Sequence, residues 1–104
     1  MNTQQIFTKD NLKVLDVEYR ASASGDGIIY LNLDSGTIEV DVESCLDEIE
    51  ITNYGFSSHI TKDNKVYYRY LDDQSIEAVS EYMKENSIFD KYMDEVYEAV
   101  SQTF

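Results

Sequence analysis

A chain of 104 residues with 21 Asp and Glu against eight Lys and Arg carries a formal charge of −13 at pH 7. It has no cluster of basic residues, which argues against direct binding to DNA, RNA or an anionic membrane and points to a basic partner. No stretch approaches the roughly 20 apolar residues that span a bilayer, and the first ten residues lack the basic and apolar regions of a secretory leader. A single cysteine, Cys45, makes no internal disulfide, so a cytoplasmic location is expected.

Hydrophobic residues make up 42% of the chain and include nine Tyr and four Phe, enough to predict one folded domain over residues 1–104 rather than disorder. Residues 1–11 are compatible with a short helix leading into the first strand. From 12 to 71 the chain reads as strands. Leu15, Val17 and Tyr19 alternate with Asp16, Glu18 and Arg20, the period of a half-buried strand. Residues 23–27 make a glycine turn, Ile28–Leu33 a second strand, and Asp34-Ser35-Gly36 a hairpin connection. Thr37–Glu43 is a third strand, Glu48–Ile51 a fourth, Tyr54–Asn64 a polar loop and Lys65–Leu71 a fifth strand.

The period then changes. Asp72 or Asp73 can cap a helix running to about Asn86, with Ile76, Val79 and Met83 inward. Ser87 and Asp90 resemble a capping box for a second helix to about Gln102, burying Phe89, Met93, Val96 and Val100. These elements predict an α+β fold, an antiparallel meander of about five strands (12–71) with two C-terminal helices (73–102) on one face.

The charges are segregated. From Ala21 to Ile60 there is no Lys or Arg, yet eight carboxylates. On strand three Ile38, Val40 and Val42 face inward, so Glu39, Asp41 and Glu43 face out. Glu48 and Glu50 do the same on strand four. A hairpin across Ser44–Asp47 then sets five carboxylates on one face, where like charges across a ladder are destabilising. Asp34, Asp47 and Tyr54 flank that face and complete the candidate partner-binding set. The helices carry a second candidate surface: Asp73, Glu77, Glu81 and Glu85 form one i+4 column, and Asp90, Asp94 and Glu98 another. Lys84 and Lys91 relieve only part of this repulsion.

Catalytic signatures are lacking, so the chain is read as a non-enzyme. Cys45 and His59 have no third group to orient them, and the carboxylates around Cys45 would raise its thiol pKa. Asp41, Glu43, Asp47 and Glu48 are dense oxygen ligands without the spacing of a calcium loop, so no metal or cofactor is expected. Gly25-Asp26-Gly27 lacks the rest of a phosphate-cradling motif.

Glu39, Asp41, Glu43, Asp47, Glu48 and Glu50, in rows on a small, acidic, cysteine-poor chain, resemble the DNA-mimic inhibitors of phages and mobile elements. That resemblance lies in charge, size and layout. It implies a protein that blocks a CRISPR or restriction nuclease by presenting carboxylates where the nuclease expects phosphates. Two alternatives stand beside it: an immunity protein or antitoxin neutralising a basic toxin, and a housekeeping domain with a solvated acidic surface. Monomer and homodimer are both compatible with the sequence.

Overall fold

A computed structural model describes residues 6–45, 48–58 and 68–103, without the side chains of Cys45, Glu48 and Thr103. Five strands, β1 (Asp16–Ala21), β2 (Gly27–Asn32), β3 (Gly36–Cys45), β4 (Glu48–Ser58) and β5 (Tyr68–Tyr70), form one antiparallel sheet in the order β1-β2-β3-β4-β5. Two helices follow, α1 (Asp73–Glu85) and α2 (Ile88–Thr103). The expected α+β architecture is therefore present. Cys45 and His59 fall outside what is described, His59 entirely and Cys45 in its side chain.

Alternation builds the core. Ile29 and Leu31 of β2, Ile38, Val40 and Val42 of β3 and Phe56 of β4 share one sheet face and are buried. They meet Val79 and Met83 of α1 and Ile88, Tyr92 and Val96 of α2 in a single cluster. Side chains of this size each contribute about 1.5–3 kcal/mol when removed from water.

The N-terminal segment joins the same core through Phe7 and Leu12. Its described part forms a single turn closed by the Leu12 N–H on the Thr8 carbonyl (2.9 Å), and residues 1–5 of the stretch compatible with a short helix lie outside the described residues. The Phe7 N–H donates to the fully buried Ser75 hydroxyl (2.9 Å), which in turn donates to Asp72 (2.5 Å). That hydroxyl holds the Asp72 carboxyl below its ordinary pKa. Asp72 is the N-cap of α1, and its carboxylate serves Ser75 rather than a backbone amide.

Two helix predictions need correction. The most buried positions of α2 are Ile88, Tyr92 and Val96, while Phe89, Met93 and Val100 are half-buried. The stripe is rotated by about one residue because Tyr92 reaches under the sheet to donate its hydroxyl to the Gly25 carbonyl (2.6 Å). Burial, aided by the charge on Asp26, raises the Tyr92 pKa and keeps that donor protonated. The capping box over Ser87 and Asp90 is also incompatible with the backbone, since Ser87 has φ +53 whereas an N-cap needs extended geometry. Ser87 is instead the left-handed residue that ends α1, its N–H reaching back to the Lys84 carbonyl.

The fourth strand is the largest departure. Tyr54–Ser58 continues β4, which runs eleven residues. The ladder pairs Asp41 with Asn53 and Val42 with Ile51, leaving Thr52 as an extra, unpaired residue. This β-bulge interrupts the alternation, so the two halves of β4 do not read as one strand by period alone.

Candidate acidic interface on the open sheet face

Both helices and the N-terminal segment cover one face of the sheet, and among the described residues nothing packs over the other. Strand alternation and register assign its occupants. Glu39 of β3 lies between Tyr30 of β2 and Gly55 of β4, and Tyr30 in turn faces Glu18 of β1. Asp41 lies between Ile28 and Asn53, and Glu43 stands directly opposite Glu50. Neighbouring strands are about 4.8 Å apart and alternate residues along a strand about 6.6 Å. Glu39, Asp41, Glu43 and Glu50 therefore form one patch, with Glu43 and Glu50 the more exposed.

Glu43 and Glu50 sit on an arm. β3 pairs with β2 only as far as Val42, whereas β3 and β4 remain paired out to Cys45 and Glu48. The base of the arm is held by Asp26 of the β1–β2 turn, whose carboxylate accepts the Ser44 N–H (2.7 Å). Gly25, at φ +96, permits this approach, since a Cβ there would fall 2.8 Å from that of Ser44.

Aromatic side chains border the acids. Tyr68 and Tyr70 are 47% and 71% exposed, and their rings meet edge to face with centroids 5.7 Å apart. Tyr68 lies over Gly55, where a Cβ would come within 2.0 Å of its hydroxyl oxygen. The Asn53 side-chain amide donates both to that oxygen (2.9 Å) and to the Asp41 carboxylate (3.2 Å). The aromatic pair is thus tied to the acid row through one asparagine.

The remaining candidates are dispersed. Asp34 is exposed at the β2–β3 turn, the opposite end of β3 from the arm and about 25 Å from Glu43. Asp47 lies outside the described residues, and of Glu48 only the backbone is described. Tyr54 pairs with Val40 and shares its core-facing side, half-buried, with its hydroxyl in a hydrogen bond to Ser80 of α1 (3.1 Å). It does not belong to the acidic face, because the bulge at Thr52 reverses which residues of β4 point outward.

The helical columns lie on the other side of the domain. Asp73, Glu77, Glu81 and Glu85 are all exposed on α1, and Asp90, Asp94 and Glu98 on α2. Lys9 approaches Glu85 (3.1 Å) and Glu81 (3.6 Å), so the α1 column is partly neutralised from within. Such exposed pairs contribute little to stability.

The sequence reading omits two carboxylates and one cation of the open face. Asp16 and Glu18 alternate with Val17 and Tyr19 and lie on it, as does Arg20, whose guanidinium sits 6.0 Å from the Tyr30 ring centroid. The alternation of β1 carries this signal, in a strand that precedes the span without basic residues. No group of three or more metal-ligating side chains converges among the described residues. No described helix is long and apolar enough to cross a membrane.

No family model matches the chain, and neither a curated protein nor a solved structure matches it.

Proposed function

We propose that this protein is a binding protein rather than an enzyme, and that it occupies the nucleic-acid site of a basic protein. One observation carries the reading: the sheet face left open by the helices bears Glu39, Asp41, Glu43 and Glu50 beside an exposed Tyr68–Tyr70 pair. Carboxylates about 6.6 Å apart along β3 match the step between phosphates closely enough to engage the same arginine and lysine side chains. Each carboxylate can accept a bidentate guanidinium bond. The tyrosines supply the aromatic contact area that a charged rim by itself lacks. Guanidinium groups over aromatic rings already occur within the molecule, Arg69 lying 5.5 Å from the Phe56 centroid.

The self-repulsion supports the same reading. Glu43 facing Glu50 costs stability, and a binding role offers a reason to retain such a pair. A CRISPR or restriction nuclease is the partner class favoured by the resemblance in charge and layout.

The test is capture from lysate followed by competition. The immobilised protein should retain a DNA- or RNA-binding protein at about 0.1 M salt and release it at several-fold higher salt, as surface electrostatics requires. Added in solution, it should displace nucleic acid from that partner. Reversing Glu39, Asp41, Glu43 and Glu50 together to Lys should abolish both effects. A captured partner that still binds the reversed variant removes the open face from the proposal. A partner that keeps its nucleic acid when bound, or no capture at all, refutes the function.

A further inference from the structure

We infer that the free edge of β1 is a self-association site, at which a second copy of this chain adds antiparallel to β1 in one register centred on Tyr19. The inference stands on backbone geometry and does not require the proposed function.

Among the described residues β1 pairs with β2 alone. Its hydrogen-bonding parity follows from the adjoining turn. The Ser22 N–H donates to the Asp26 carbonyl (3.0 Å), in step with the Ala21–Gly27 and Arg20–Ile28 pairs. Bonded and non-bonded pairs alternate in an antiparallel ladder. Asp16, Glu18 and Arg20 therefore exchange their backbone bonds with β2. Val17, Tyr19 and Ala21 turn their N–H and C=O groups towards the open edge. A strand edge of this kind is a template for another chain.

A two-fold partner must pair odd residues with odd ones, because only those have free backbone groups. That leaves few registers. Centring on Glu18 sets Glu18 against its own copy, and centring on Arg20 sets Arg20 against its own copy. Centring on Val17 opposes Asp16 to Glu18. Centring on Tyr19 pairs Val17 with Ala21 of the second copy and places Glu18 opposite Arg20 of the second copy, twice over. Those charge pairs fall at non-hydrogen-bonded positions, where side chains of an antiparallel ladder approach most closely. The two-fold thus makes the strand complementary to itself, as an isologous interface demands.

The flanks leave room for it. Asp16, Glu18 and Arg20 are exposed, and an open groove runs between β1 and α2, lined by Tyr19, Ala21, Glu95, Glu98 and Gln102. The Tyr19 hydroxyl at this groove is buried without a hydrogen-bond partner among the described residues, and burial raises its pKa. Opposing association is the charge of −13 on each copy, which salt screens. Pairing would join two sheets edge to edge with their open faces on the same side.

The experiment is sedimentation equilibrium of the whole protein at about 0.3 M NaCl, with Glu18→Arg, Arg20→Glu and the double exchange. The wild type should show a concentration-dependent dimer. Either single variant sets like charges opposite each other at two places and should weaken the dimer at least about tenfold. The double exchange restores opposite charges and should recover it. Hydrogen exchange at the amides of Val17, Tyr19 and Ala21 should slow as concentration rises. All substituted residues are exposed, and circular dichroism checks that each variant remains folded. A wild type that stays monomeric to about 1 mM overturns the inference. So does a dimer indifferent to the single variants, or one that the double exchange fails to restore.

Discussion

Replacing Glu50 by Lys should make the protein more stable while weakening its grip on a basic partner. Glu43 and Glu50 face each other across the β3–β4 ladder. Opposed side chains on such a pair have Cβ atoms about 5 Å apart. With the charges about 6 Å apart in solvent, their repulsion is roughly 0.7 kcal/mol. Glu50→Lys exchanges that repulsion for a similar attraction, a gain of about 1 kcal/mol after side-chain ordering takes its share. For a domain of this length the melting temperature should rise by about 5 °C. Thermal unfolding followed by circular dichroism in about 10 mM salt reads the change, and in about 1 M salt the gain should shrink as screening contracts to a few ångströms. Glu43→Lys should behave alike. The double variant opposes Lys to Lys and should lose the pairwise part of the gain, which a double-mutant cycle isolates. A lowered melting temperature for Glu50→Lys, or a gain that persists undiminished in 1 M salt, would refute the reasoning.

Two further expectations concern the anchors of the fold. Ser75→Ala leaves the buried Phe7 N–H without its acceptor and should cost about 2 kcal/mol, read as a lower urea midpoint with the slope unchanged. The gap between wild type and Ser75→Ala should also depend on pH. The Asp72 carboxyl is held below its ordinary pKa chiefly by Ser75, so its contribution is fully present above about pH 4 and is lost as pH falls through the lowered folded value. The gap should therefore narrow in acid; one that widened would contradict the assignment. Gly55→Ala places a methyl where the Tyr68 ring lies and should swing that ring away, breaking its bond from Asn53. The change should be visible as a shift of the Asn53 side-chain amide in NMR spectra at a stability cost within about 1 kcal/mol, because only the far end of an exposed side chain must move. An unshifted amide would mean that Tyr68 does not lie over Gly55.

Local period was enough to read β1, β2, β3 and both helices, because each buries one face and Ile, Val and Leu recur on it. The acid row on β3 was legible for the same reason. What period could not supply was placement set by distant residues. Tyr92 is more buried than Phe89 or Met93 because its hydroxyl finds the Gly25 carbonyl, a partner 67 positions away in sequence. Ser75 looks like an ordinary early-helix serine, yet it is the acceptor for a backbone amide 68 positions away. Neighbourhood in sequence sets Tyr54 beside the acidic face, whereas the sheet puts it on the side of α1. The aromatic border was half visible: the alternation around Arg69 implies that Tyr68 and Tyr70 share a side, but only the register with Gly55 and Ser57 shows that the side is the acidic one.

The unpaired Thr52 acts as a change of reading frame for the sheet. Outward positions of β4 are odd-numbered after it, at Asn53, Gly55 and Ser57, and even-numbered before it, at Glu50. Were Thr52 drawn into the ladder opposite Val42, the two halves of β4 would alternate in a common phase. With the half that faces Phe7 and α1 fixed by burial, the acid at the arm would rotate to the covered side and Ile49 and Ile51 would turn to water. The acid displayed at the arm thus depends on Thr52 standing outside the ladder as much as on the presence of Glu50 itself.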